Sequence, residues 1–187
     1  MPIATLRRCD ALLLIDVQND FCPGGALPVP AGDEVVPVLN AWLVAARAGG
    51  AHIVVTRDWH PADHASFQAN GGLWPAHCVQ GTAGAAFHPS LDLREDHLLV
   101  TKGDRPDWDE YSDFQGTTLV EDLRGLGVKR LWIGGLAQDV CVRATVLDAV
   151  TLGFETQVIV AGTRPMDEAS GRAALEEMRR AGARLEL

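Results

Sequence analysis

The sequence predicts a three-layer α/β/α fold around a six-stranded, mostly parallel sheet. Two observations carry that expectation. Short β-rich runs alternate with helical segments along the 187 residues, which is the pattern of a sheet wound with covering helices. Most of those runs are continuous apolar stretches, as strands covered on both faces should be. The length suits one compact domain over residues 1–187, large enough to bury a substantial core.

The elements follow in order. A first strand is expected at residues 11–15, stopping at Asp16. A helix should follow with Asp33 as its cap, since Val36, Leu39, Leu43 and Ala46 recur at helical spacing before Gly49 and Gly50 stop it. The second strand covers residues 52–56. From Asp58 to about Leu93 the chain is rich in Gly, Pro, His, Asn and Trp and has no period. So long a loop inside a compact domain is functional or disordered, and its histidines and tryptophans favour function. It reads as an inserted metal-binding loop at about residues 58–93.

Residues 97–101 form the third expected strand. Thr118 and Glu121 make a capping box for a helix with Leu119, Leu123 and Leu126 on one face. The fourth strand is placed at 130–134, with a helix after Asp139 that aligns Val142, Val146, Ala149 and Val150. A fifth strand at 156–160 and a helix from about Asp167 to Ala181, ended by Gly182, lead to the sixth strand at 183–187.

Composition narrows the function classes. Hydrophobic residues are 47% and charged residues 22%, an ordinary globular balance. Lysine and arginine number 16 against 25 acidic residues, a formal net charge of -9, so nothing marks a nucleic-acid or anionic-membrane surface. The apolar run after Arg7 and Arg8 is cut short by Asp16, too short for a signal peptide or for the roughly 18 residues of a membrane span. A cytoplasmic location is the expectation, and the oligomeric state, a homo-oligomer included, stays open. Cys9, Cys22, Cys78 and Cys141 form no CxxC pair, and without a secretion signal a disulfide framework is not expected. The first three read as bland buried or surface thiols.

In open parallel sheets ligands bind beyond the carboxyl ends of the strands. The first strand ends at Asp16, the third at Lys102, and the fourth leads to Cys141. Taken singly, these are a turn residue, a solvated charge and a small core residue. Together they place a carboxylate, an ammonium and a thiol on one edge. A carboxylate can take the proton that a thiol must lose to attack a carbonyl, and a lysine between them favours both anions. N–H groups near the start of the following helix could hold the oxygen of a tetrahedral intermediate.

The loop after the second strand holds Asp58, His60, His64 and His77, three of the six histidines of the chain. Asp58 and His60 are one residue apart, so an extended backbone points both to one face. His77 would complete a facial set with open positions, and His64 is a fourth ligand or a hydrogen-bonding neighbour. One carboxylate with two imidazoles suits Zn²⁺, Fe²⁺ or Mn²⁺. The competing reading is a polar loop of surface histidines. His52, His88 and His97 read as structural or solvated.

With these motifs assembled, the sequence resembles the nicotinamidase/pyrazinamidase family of the isochorismatase-like cysteine hydrolases. The matching stretches are Ile15-Asp16-Val17-Gln18-Asn19-Asp20-Phe21, Asp58-Trp59-His60-Pro61, Trp74-Pro75-Ala76-His77-Cys78, Lys102-Gly103, Tyr111-Ser112-Asp113-Phe114 and Gly135-Leu136-Ala137-Gln138-Asp139-Val140-Cys141, with Thr145. They run in order over residues 10–165. Gln138 departs from the small, threonine-like residue common there.

The resemblance implies an isochorismatase-like, Rossmann-like fold and hydrolysis of nicotinamide, with pyrazinamide as a second substrate. It implies a catalytic triad of Asp16, Lys102 and Cys141, an oxyanion hole from the N–H groups of Ala137 and Cys141, and a cis peptide before Ala137. One divalent ion, zinc first, would be held by Asp58, His60 and His77, with His64 as a further ligand in some members. Phe21, Trp74 and Tyr111 would line the substrate pocket. The rivals are another isochorismatase-like hydrolase, an amidohydrolase or one acting on isochorismate, carbamoylated amines or ureido compounds, and an inactive nicotinamide-binding module. The first generally lacks the Asp/His/His set, and an intact triad speaks against the second.

Overall fold

The structure is a computed structural model that describes residues 4–187. Among the described residues, six strands form one sheet: β1 (Asp10–Ile15), β2 (His52–Asp58), β3 (Leu98–Lys102), β4 (Arg130–Gly135), β5 (Glu155–Thr163) and β6 (Arg184–Glu186). Every pairing is parallel, in the order β3-β2-β1-β4-β5-β6. Each expected strand is present, and the ends differ by no more than a few residues.

β1 explains why the sheet is central. Leu12, Leu13, Leu14 and Ile15 have no exposed surface, and each such side chain contributes about 1.5–3 kcal/mol relative to exposure. Because side chains alternate along a strand, Leu12 and Leu14 pack with α1 (Val35–Gly49) on one face. Ala11, Leu13 and Ile15 pack on the other with α2 (Leu119–Gly125), α3 (Arg143–Thr151) and α4 (Glu168–Ala181). The result is the expected three layers.

Three helix starts differ from expectation. Asp33 lies inside a 3₁₀ turn (Gly32–Glu34) that leads into α1, and no side chain caps α1. Thr118 does not form a capping box with Glu121; its hydroxyl donates to Asp122 Oδ2 at 2.8 Å. Its backbone, at φ -93° and ψ 9°, has already left the extended region from which a cap side chain reaches the first N–H groups. The segment after Ala137 begins with a π-turn over Gln138–Val142, and the α-helix starts only at Arg143. The last helix starts and stops as read: Asp167 accepts from Ala169 N–H and Ser170 N–H, and Gly182 ends it in a left-handed conformation.

The strand order sets the position of the site. From the adjacent pair β1 and β4, the chain winds outward in opposite directions, towards β3 and towards β6. Such a switch point opens a crevice at the carboxyl ends of the strands. The two strands approach closely there: a Cβ on Gly135 would lie 2.1 Å from the Ile15 carbonyl oxygen. The long loop over residues 59–93 is not formless. It contains a 3₁₀ turn at Gln68–Asn70 and three isolated bridges, Gln18↔Phe87, His60↔Val79 and Phe67↔Trp74. Among the described residues, no helix is long and apolar enough to cross a membrane.

Candidate active site

Asp16 is the first residue past β1, with φ 47°. Lys102 ends β3, and Cys141 lies in the π-turn after β4. All three are buried, Asp16 and Lys102 completely. Lys102 Nζ donates to Asp16 Oδ2 at 2.5 Å and to Asp58 Oδ1, and stands 3.7 Å from Cys141 Sγ. Thr56 Oγ1 donates to the other Asp16 oxygen at 2.7 Å. The carboxylate, ammonium and thiol foreseen at separate strand ends therefore meet.

Burial governs the protonation of this cluster. Loss of solvent pushes the Cys141 thiol well up, and Lys102 opposes that shift. Burial likewise raises Asp16, while Lys102 pulls the other way. For Lys102 burial favours the neutral form, but Asp16, Asp58, Cys141 and Asp113 outweigh it and hold the ammonium. Asp58 is also opposed by burial, yet the Lys102 ammonium keeps its carboxyl below the usual range.

Asp58, His60 and His77 bring ligand atoms within 4.8 Å of one another, all from buried residues. The chemistry of this donor set fits a divalent ion. His60 Nδ1 lies 2.9 Å from the Gly103 carbonyl and His77 Nδ1 lies 2.8 Å from the Pro75 carbonyl. Carbonyls only accept, so each Nδ1 carries the hydrogen and each Nε2 offers its lone pair. Burial lowers His77 and favours its neutral, ligating form. Asp16, Asp58 and Cys141 are a second close trio, but the Lys102 ammonium already pairs with its members.

His64 is not brought into the donor set. Its Nδ1 is 2.7 Å from Ser66 Oγ and its Nε2 is 3.1 Å from the Trp108 carbonyl, so both ring nitrogens are engaged. Its ring centroid lies 4.2 Å from that of His60, with the planes tilted by 39°. Phe67, which the sequence did not mark out, packs against His60, His64 and His77 at 5.5, 5.7 and 5.6 Å. It forms an apolar wall behind the imidazoles.

A cleft opens onto both groups, lined in part by Phe21, Trp74, Tyr111, Ala137 and Cys141. Trp74 Nε1 donates to Tyr111 Oη at 3.1 Å, fixing two walls against each other. The Leu136–Ala137 peptide is cis, as the resemblance implied. Gln138, the departure from the pattern, donates to the Gly171 carbonyl and accepts from Thr163 Oγ1, tying the π-turn to α4 and β5.

Asp113 stands in a quoted motif without a role. It is fully buried, with Oδ1 3.8 Å from Lys102 Nζ and no hydrogen-bond partner for that oxygen. Burial and the nearby Asp16 raise its carboxyl well above the usual range. Thr145 Oγ1 donates to its other oxygen at 3.2 Å, so residues of two separate matching stretches act as a pair. No spacing signal could have revealed this, because 32 residues separate them.

A buried thiol, carboxylate and ammonium gathered at the switch point of a parallel sheet is the layout of a thiol-dependent hydrolase of the α/β class. The chain matches the Isochorismatase domain family over residues 10–186 and belongs to it. It is 42% identical to the nicotinamidase/pyrazinamidase of Mycobacterium tuberculosis, over 94% of this chain and 97% of that protein. With the nicotinamidase of Escherichia coli it shares 41% identity over 94% of this chain and 93% of that one. The crystal structure of the pyrazinamidase of Pyrococcus horikoshii in complex with zinc superposes with a TM-score of 0.93 at 47% identity, covering 95% of this chain and 98% of that one.

Proposed function

We propose that the protein is a nicotinamidase that hydrolyses nicotinamide to nicotinate and ammonia, a step of NAD salvage, and that it also accepts pyrazinamide. The observation that carries this reading is the opening of Cys141 and the Asp58/His60/His77 set onto one cleft lined by Phe21 and Trp74. The names of its relatives support the same substrate class.

Asp58, His60 and His77 would hold the ion, zinc by preference, and when bound it supplies open positions suited to a ring nitrogen of the substrate. The chain's own residues do the bond-breaking. Phe21 and Trp74 take the aromatic ring between them, which sets the carboxamide carbon against Cys141. Asp16 accepts the thiol proton as Sγ attacks, and the Ala137 and Cys141 N–H groups receive the oxyanion. Asp16 then gives its proton to the departing nitrogen, so that ammonia leaves and a thioester remains. Water, deprotonated by Asp16, attacks the thioester; the C–S bond breaks, nicotinate leaves and the thiol is restored. Lys102 holds Asp16 in place and favours the thiolate.

The test is ammonia release from nicotinamide by metal-stripped and zinc-reloaded protein, beside the consumption of isochorismate and of carbamoylated or ureido substrates. Nicotinamide turnover restored by zinc is expected. Turnover confined to another substrate would overturn the substrate, and full activity after stripping would overturn the metal.

A further inference from the structure

Two polar side chains that follow Asp16, the buried Gln18 and the half-buried Asp20, take no part in that chemistry, and they reach the backbone of Asp58 and of the residue after His77. Gln18 has no exposed surface. Its Oε1 accepts from the Asp58 N–H at 2.9 Å, and its Nε2 donates to the Asp58 carbonyl at 2.8 Å and to the Ala85 carbonyl at 2.9 Å. Asp20 accepts from the Ala26 N–H at 3.0 Å with Oδ1 and from the Cys78 N–H at 2.7 Å with Oδ2. Cys78 directly follows His77 and has φ 46°, a left-handed conformation that costs a non-glycine residue energy unless its surroundings hold it.

The sheet explains why Asp58 needs such a partner. Pairing between β1 and β2 ends at Leu14↔Val55, because β1 turns away at Asp16. On its other edge β2 continues to pair with β3 as far as Asp58↔Lys102. The Asp58 peptide groups on the β1 side are thus left beyond the end of the ladder, buried, where unpaired groups are costly. A primary carboxamide has the donor and acceptor of a peptide group, and Gln18 supplies them where β1 no longer does. It bonds on both sides of the Asp58 Cα, which fixes the direction of the Asp58 side chain.

We propose that Gln18 and Asp20 are positioning residues for metal binding: Gln18 clamps Asp58, and Asp20 clamps the turn that carries His77. The inference rests on the reading of Asp58, His60 and His77 as the ligands. Asp16, Gln18 and Asp20 stand two residues apart, so one short segment leaving β1 serves the proton acceptor and both ends of the ligand set.

The test compares the Zn²⁺ affinity of the wild type with that of Gln18→Met, Gln18→Glu and Asp20→Asn, by competition with a chromophoric chelator. Thermal unfolding of each metal-free protein is recorded alongside, and Asp58→Ala is the reference. Gln18→Met keeps the length without the bonds. Gln18→Glu keeps one acceptor and loses both donors. Asp20→Asn sets an NH₂ against an N–H. We expect Zn²⁺ affinity to fall by about 10-fold or more in all three, in the range seen when partners behind metal ligands are removed. The metal-free proteins should still unfold cooperatively.

Wild-type zinc affinity in the Gln18 and Asp20 variants, with affinity lost in Asp58→Ala, would overturn this inference and leave the ligand assignment standing. Zinc bound as tightly by Asp58→Ala as by the wild type would overturn the ligand assignment itself. Loss of a cooperative transition in all three metal-free variants would assign both residues to the fold and overturn the positioning role.

Discussion

The Lys102 ammonium lies 2.5 Å from Asp16 Oδ2, wholly shielded from solvent, and it pairs at the same time with Asp58. One cation therefore joins the carboxylate assigned to proton transfer with a carboxylate assigned to the metal. The two halves of the site are not independent modules. Lys102 compensates charge on both, and Asp113 stands 3.8 Å away on a third side.

Replacing that cation should be costly. Lys102→Met keeps much of the volume but leaves Asp16, Asp58 and Asp113 buried around no positive charge. The expected loss is about 3–5 kcal/mol, as for one partner removed from a buried ion pair. Urea denaturation at neutral pH measures it, and a loss below about 1 kcal/mol would contradict the compensation described here.

Gly103 lies against the donor set. Its φ is 68°, and an added Cβ would meet the His60 ring at 2.4 Å. Its carbonyl is also the partner of His60 Nδ1. Gly103→Ala should displace His60 and weaken zinc binding by about 10-fold or more, measured by chelator competition. Unchanged affinity would show that the imidazole position is not critical.

Cys141→Ala removes the thiol proposed as nucleophile and little volume. Ammonia release from nicotinamide should fall by more than about 10³-fold, with the fold retained by circular dichroism. In the wild type, acid quenching during turnover should trap a mass adduct of the nicotinoyl group on Cys141. Near wild-type turnover in the variant would refute the thioester route.

The cap of α4 gives a prediction in pH. Bonds from the Ser170 hydroxyl and from the Ser170 and Ala169 N–H groups hold Asp167 below its ordinary value of 3.8. A carboxyl lowered by folding stabilises the protein above its unfolded value, and the benefit is lost as pH falls through the folded value. Asp167→Ala should therefore lower Tm at neutral pH, and its gap from the wild type should narrow below about pH 4. Scanning calorimetry at pH 7 and pH 3 tests this; a constant gap would refute it.

The apolar run Leu12–Ile15 was legible because a parallel strand buried on both faces admits little else, whereas the edge strand Arg184–Glu186 is exposed or half-buried and was read from its place after the last helix. Asp16, Lys102 and Cys141 were legible because strand ends converge in an open parallel sheet. Asp58 and His60 could be read from their alternation along a strand, since β2 runs on as far as Asp58. The π-turn at Gln138–Val142 was not legible, because its apolar spacing is nearly that of an α-helix. Thr118 showed the same limit, since a capping box is a local pattern that backbone direction overrides.

The amino-acid sequence by itself determined the strand and helix alternation, the three reactive groups at the strand ends and the Asp/His donors of the loop. All of these are carried by local periodicity or by position relative to a strand. Only the tertiary structure decided that Lys102 joins Asp16 to Asp58, that His64 spends its nitrogens on Ser66 and Trp108, and that Gln18 holds Asp58. Those partners are set by where the backbone comes together in space, 40 residues apart for Gln18 and Asp58 and 86 for Lys102 and Asp16. A buried polar atom bonds to whichever group the fold sets within about 3 Å of it.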